Sequence, residues 1–351
     1  MHTRLVKASV IGCLALLSIS ERAVAAEPTL YGLIQTPGFN EVTTYDLGQT
    51  GGFGYDATSV VPLNITNLLP QNSITSIAVA GSNLYGLITT SGFNELTTYD
   101  LTETGGFGYD ASSVIPLNIT NLLPQNSIRS IAISGTTLYG LIQTSGFNEL
   151  ITYDLTQPGG FGYDATSVIP LNITNLLPQN SIRSIAISGT TLYGLIQTSG
   201  FNELISYDLT QTGGFGYDAT SVIPLNITNL LPQNSITSIA VDGSNLYGLI
   251  QTSGFNELIT YDLTQAGGFG YDATSIIPLN ITNLLPQNSI VGIAIANADG
   301  GSSVVPEAST WAMMIVGLFA VGISMRRRSN NFADTFERLE SGTTGAFGMT
   351  T

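Results

Sequence analysis

The chain has 351 residues, of which 43% are hydrophobic and only 9% charged, with 39 glycines, 15 tyrosines and 14 phenylalanines. That apolar content excludes a chain kept unfolded for want of surface to bury. The formal charge of −15 repels phosphate backbones and anionic headgroups, and so argues against nucleic acid as a partner and against docking on acidic lipid.

Residues 1–26 read as an export signal. Arg4 and Lys7 give a basic start, Ala8 to Ile19 is an apolar run too short to span a bilayer, and "AVAA" (Ala23 to Ala26) supplies small residues for cleavage near Ala26. "VIGC" (Val10 to Cys13) also fits the pattern at which bacterial lipoproteins are lipidated, which leaves a lipoprotein as the alternative. The only Cys, Cys13, and the only His, His2, both lie in this segment. A mature chain without thiol or imidazole has no disulfide, no thiolate or imidazole zinc site and no Ser-His-Asp triad. Carboxylate chemistry and oxygen-ligated cations are what remain.

Residues 27–299 are one sentence repeated. It begins at Leu30 and recurs at Leu84, Leu138, Leu192 and Leu246, five copies of 54 residues with no insertion. Within a copy the local signals are all β. "SITSIAVAG" (Ser73 to Gly81) alternates and ends in the turn signal "GSN", which leads into "LYGLI" (Leu84 to Ile88), so the two runs predict a hairpin. "ELTTYDL" (Glu95 to Leu101) predicts a third strand, and "TGGFGYD" (Thr104 to Asp110) a glycine-rich loop. "SVIPLNI" (Ser113 to Ile119) predicts a fourth strand, placed at an edge because Pro116 cannot donate to a ladder. "ITNLLPQN" (Ile119 to Asn126) is the one stretch with room for a short turn.

Four short antiparallel strands per copy, with the proline-bearing one outermost, predict an all-β fold, a five-bladed β-propeller. The array opens on a second strand, "TLYGLI" at Thr29, and closes on a lone first strand, "SIVGIAIAN" (Ser289 to Asn297), which would complete the blade begun at Leu30. A β-solenoid is the alternative, although it would want distinct polar caps at both ends. "SIAVDGSNLYGLI" (Ser238 to Ile250) resembles the inner hairpin of NHL-type propeller repeats, with Asp242 the one turn aspartate present. The likeness covers about a quarter of each copy, and the repeat here is longer than that family's.

After a linker at 300–305, "VPEASTWAMMIVGLFAVGISMRRR" (Val305 to Arg328) ends the low-charge region. Its apolar run, Trp311 to Met325, makes roughly 22 Å of helix, short of the ~30 Å hydrocarbon core. Arg326, Arg327 and Arg328 orient it with the repeats outside the cytoplasm. Val305, Pro306 and Glu307, the Ser-Thr-Trp, the short apolar run and the arginines make 306–328 resemble the PEP-CTERM sorting domain of Gram-negative bacteria, with a short transmembrane helix. That resemblance implies a transient inner-membrane anchor, removal by an exosortase, and release or attachment at the cell surface in a setting of extracellular polysaccharide and biofilm matrix. The family's second proline is Ala308 here, and a polar tail (329–351) continues beyond the arginines. A permanent single-pass anchor is the competing reading.

The repeats offer two kinds of candidate group. Glu41, Asp46 and Asp56 recur every 54 residues. A catalytic pair of carboxyls needs two unlike environments, which five near-identical copies do not supply, so no enzyme and no catalytic residue are expected. No calcium motif is present either, so no metal or cofactor is expected, although calcium near Asp56 and Asp110 is conceivable. The aromatics give the stronger lead: Phe53, Tyr55 and Asp56, then Phe107, Tyr109 and Asp110, Phe161, Tyr163 and Asp164, Phe215, Tyr217 and Asp218, and Phe269, Tyr271 and Asp272. A flat ring beside a carboxylate suits a sugar, whereas rings folded inward would fill the gaps between blades. The "NIT" sequons at Asn64, Asn118, Asn172, Asn226 and Asn280 read as strand chemistry. The expected function is an exported surface or matrix binding module, with extracellular polysaccharide as its partner. A structural repeat protein without a ligand is the alternative, and a polysaccharide-active enzyme a weak third reading.

Overall fold

The computed structural model describes residues 28–296 except for 66–73, 120–127, 174–181, 228–235 and 282–289 and the shorter stretches 37–38, 50–53, 91–92, 104–107, 145–146, 159–160, 199–200, 212–214, 253–254 and 268. The export signal, Phe53, Phe107, the linker, the sorting segment with its apolar run and arginines, and the polar tail lie outside the described residues. Two compact units, 1–300 and 301–351, divide the chain; the described residues belong to the first. No helix among them is long and apolar enough to cross a membrane.

Every regular element among the described residues is a strand. The first copy supplies β1 (Thr29–Thr36), β2 (Phe39–Asp46), the two-residue β3 (Tyr55–Asp56) and β4 (Ser59–Asn64). The next unit is β5 (Ile74–Ala80), β6 (Asn83–Thr90), β7 (Phe93–Asp100) and β8 (Tyr109–Asn118). It is followed by β9 (Ile128–Ser134), β10 (Thr137–Thr144), β11 (Phe147–Asp154) and β12 (Tyr163–Asn172). Then come β13 (Ile182–Ser188), β14 (Thr191–Thr198), β15 (Phe201–Asp208) and β16 (Tyr217–Asn226). β17 (Ile236–Asp242), β18 (Asn245–Thr252), β19 (Phe255–Gly267) and β20 (Gly270–Asn280) precede the last strand, β21 (Ile290–Ala296).

Each unit is a four-stranded antiparallel sheet. The predicted hairpin forms with Ala80 opposite Asn83, closed by the two-residue turn at Gly81, whose φ of 58° suits the tight turns that follow strand twist. Leu84 faces Tyr99 in the next pairing, and Glu95 faces Pro116 in the outermost one. Proline sits on the outermost strand, as its missing N–H requires.

The lone last strand completes the first unit. β21 runs antiparallel to β1, Ile295 opposite Leu30 and Ile293 opposite Gly32, in the same register as Ile133 opposite Leu138 and Ile131 opposite Gly140. The innermost strands β5, β9, β13, β17 and β21 touch one another in cyclic order, with β21 against β5. The strands therefore form a closed ring of five four-stranded units, the arrangement of a β-propeller, and not an open stack.

Five hydrophobic cores hold the ring, each shared by two neighbouring units. Leu141, Leu150 and Leu171 pack with Ile185, Leu192 and Tyr207 in one of them. The closing junction has the same composition, with Leu30, Tyr45 and Ile293 against Ala240, Leu258 and Leu279. Burial of this apolar surface is the main stabilising term, and no unit has its core to itself.

Polar anchors repeat between the cores. Asn148, 3% exposed, accepts the backbone N–H of Ile182 through Oδ1 at 3.2 Å, so the start of one unit's third strand pins the start of the next unit's inner strand. Asn40, Asn94, Asn202 and Asn256 repeat this bond at 3.1–3.2 Å.

Candidate functional sites on the outer belt and at the axial mouth

The segment expected as a glycine-rich loop proves to be partly strand. The outermost strand starts at Tyr109, not Ser113, and in the equivalent copies at Tyr163 and Tyr217. The structure corrects the expected boundary for a physical reason invisible within one copy. Tyr109 and Asp110 pair in parallel with Leu63 and Asn64 of the preceding unit's outermost strand. The same two-residue bridge joins Tyr163 to Leu117, Tyr217 to Leu171, Tyr271 to Leu225 and, across the closing junction, Tyr55 to Leu279. Strand twist accumulates over three steps from the inner strand, which turns the outermost strands toward the circumference, head to tail. They form a continuous belt.

The Phe-Gly-Tyr-Asp residues divide by role along this belt. Tyr55, Tyr109, Tyr163 and Tyr217 are 7–8% exposed and Tyr271 is half-buried, each packed into a junction core or against one. Burial raises the phenol pKa of Tyr55, Tyr163, Tyr217 and Tyr271, which keeps them neutral. Asp56, Asp110, Asp164, Asp218 and Asp272 are exposed, but each carboxylate accepts the side-chain amide of a sequon asparagine in the preceding unit at 3.1–3.2 Å: Asn280, Asn64, Asn118, Asn172 and Asn226 in turn. The glycine has no substitute. At Gly162, with φ at 139°, a Cβ would lie 2.3 Å from the carbonyl oxygen of Pro116. Of the two aromatic positions, phenylalanine is the one left to solvent in the copies where it is described: Phe161 is 93% exposed, Phe215 and Phe269 91%.

Other repeated polar groups are also committed to structure. Asp100, Asp154, Asp208 and Asp262 each accept the hydroxyl and backbone N–H of the threonine two residues on, and these bonds hold their carboxyls below the usual range. Tyr153, Tyr207 and Tyr261 are fully buried; their hydroxyls have no partner among the described residues, and burial raises their pKa. Among the described residues no three His, Cys, Asp or Glu side chains gather as a metal ligand set.

The axis offers a different chemistry. The middles of the inner strands enclose a cavity of about 60 Å³, lined by Ser76, Ser130, Ser184 and Ser238 with the Ile and Ala that follow them. Four serine hydroxyls accept the backbone N–H of the neighbouring inner strand at 3.1–3.2 Å: Ser76 from Ile131, Ser130 from Ile185, Ser184 from Ile239 and Ser238 from Ile293. Where those strands begin, a wider cavity of about 550 Å³ opens among Thr75, Thr89, Ile128, Arg129, Gln143, Arg183 and Thr237. Sequence reasoning noted neither the serine ring nor this mouth. The available signal was that Arg129 and Arg183 are the only basic residues between 27 and 305.

No family model matches the chain, and no curated protein does. It is similar in fold to a GH43 glycoside hydrolase engineered for endo-xylanase and exo-arabinofuranosidase activity, at 12% identity and a TM-score of 0.44 over 72% of this chain and 52% of the hydrolase. TolB from Acinetobacter baumannii gives 13% identity and a TM-score of 0.39 over 77% of this chain and 67% of TolB. Glutaminyl cyclase from Myxococcus xanthus gives 13% and 0.34 over 71% of this chain and 90% of the cyclase. The chain thus spans about half the length of the hydrolase it matches.

Proposed function

We propose that the repeat β-propeller is an exported, non-catalytic binding module for extracellular polysaccharide. One observation carries the reading. Phe161, Phe215 and Phe269 recur every 54 residues with 91–93% of their surface in water, each followed three residues later by an exposed carboxylate, Asp164, Asp218 or Asp272. An exposed ring offers a face on which a sugar stacks, and an exposed carboxylate oxygen on the same belt accepts sugar hydroxyls. Each site is shallow and weak, and a long polymer gains affinity by engaging several at once. The tyrosines belong to packing in this scheme and the phenylalanines to recognition. The export signal and the Val305–Arg328 segment fit the same picture, an exosortase releasing the module from a transient inner-membrane anchor to the cell surface or matrix.

The test is retention of the secreted chain on immobilised matrix polysaccharide. Intact mass of that material is expected to start near Glu27 and to end at about Pro306; full-length chain confined to membranes would mean a fixed anchor. Phe161→Ala, Phe215→Ala and Phe269→Ala, combined stepwise, are expected to reduce retention stepwise at unchanged melting temperature, and free monosaccharide is expected to compete poorly. Unchanged retention in the triple variant would defeat the reading. It would favour a structural spacer, the second reading, which draws on the commitment of Tyr163 and Asp164 to the belt.

A further inference from the structure

The copies differ least along the belt and most instructively at the axial mouth. The second position of the inner strand is Thr75, Arg129, Arg183, Thr237 and Val291 in turn. Arginine stands there in two adjacent units only, and both side chains are exposed into the same cavity of about 550 Å³. Neither guanidinium forms an ion pair among the described residues, although the chain is strongly acidic. Isolated cations in such a surface serve neither solubility nor belt closure. They sharpen a single positive point in a negative field, which selects for a small anion and repels a polyanion.

We infer that this mouth binds one small hydroxylated carboxylate of monosaccharide size, a sugar acid, with its carboxylate on Arg129 and Arg183. The planar guanidinium is the side chain that matches a carboxylate in two parallel hydrogen bonds. The remaining lining supplies Thr75, Thr89 and Thr237, whose hydroxyls donate to the carbonyls of Leu87, Ile128 and Leu249 and keep lone pairs that accept from sugar hydroxyls, and the amide of Gln143, which can both donate and accept. The volume lies in the range of sites that enclose a small ligand. Among the described residues the arginine pair defines one such site, because the equivalent positions in the other units carry threonine or valine.

Titration calorimetry on the whole chain with D-glucuronate, D-glucose and inorganic phosphate tests this. Glucuronate is expected to bind at least tenfold more tightly than either of the others, and more weakly as salt rises. Arg129→Thr and Arg183→Thr each place in the site the residue that Thr75 and Thr237 already are, so folding should persist, and melting temperature checks it. Each is expected to lose at least tenfold in glucuronate affinity. Binding that is absent, equal for glucose, equal or tighter for phosphate, or unchanged in the folded arginine variants overturns the assignment. The phenylalanine variants should leave glucuronate binding intact, which separates failure here from failure of the polysaccharide reading.

Discussion

The belt and the axial mouth are made by the same five copies, yet they use repetition in opposite ways. On the belt, Gly, Tyr, Asp and the sequon Asn are invariant across the copies, and four of the five tyrosines are buried with every Asp bonded to the unit before it. At the mouth, one position reads Thr, Arg, Arg, Thr, Val. Identical residues at every junction are what ring closure needs, since each junction solves the same packing problem. A single ligand needs asymmetry, and asymmetry appears where packing does not constrain the side chain.

The comparison breaks most completely if the ring is opened. Deleting residues 290–296 removes the antiparallel partner of β1, the Asn256 and Ser238 anchors on Ile290 and Ile293, and Ile290, Ile293 and Ile295 from the closing core. An unpaired strand edge and an exposed apolar face follow. Loss of the single cooperative transition, with aggregation, is the expected outcome in thermal unfolding. A deletion variant that melts like the parent would mean that the units stack without closure.

A smaller break attacks the belt alone. Gly162→Ala places a methyl 2.3 Å from the Pro116 carbonyl oxygen at a φ of 139° that alanine rarely adopts. Backbone strain and overpacking each cost about 1–3 kcal/mol, so a destabilisation of about 3 kcal/mol is expected in denaturant titration. The mouth lies on the inner strands, so glucuronate affinity per folded molecule should not change. A Gly162→Ala variant of parental stability would show that the belt bridge contributes little.

Much of the fold was legible because a repeat states each local signal five times. Alternation in "SITSIAVA", the Gly81 turn and Pro116 located the strands and their order, and the surplus strand at Ser289 to Asn297 announced closure. The start of the outer strand was not legible. Gly51, Gly52 and Gly54 read as loop within one copy, while the partner that makes Tyr55 a strand residue, Leu279, lies four copies away in sequence. Phenylalanine and tyrosine separated by one glycine also looked equivalent as aromatics. Only the belt pairing tells which ring it buries and which it leaves in water. Arg129 and Arg183 stood out by charge, but their shared cavity follows from ring geometry, which places residues 54 apart on adjacent inner strands.

The mildest test sharpens the comparison at the inner ring, where one of five equivalent positions departs from the rest. Four junctions carry a serine that accepts a neighbouring backbone N–H; the fifth has Gly292, on β21 against β5. A Cβ at Gly292 would meet nothing within 4 Å, so Gly292→Ser fits without displacement and sets a hydroxyl facing Ile77, the counterpart of Ile131. One added hydrogen bond contributes about 0.5–1.5 kcal/mol, and replacing glycine adds about 0.4–1 kcal/mol by restricting the unfolded chain. The expected gain is about 1–2 kcal/mol, a rise of a few degrees in melting temperature for a domain of this size. Gly292→Ala isolates the backbone part and should give about half. If serine does no better than alanine, no hydrogen bond forms at the closing junction, and that junction differs from the other four in more than the loss of one side chain.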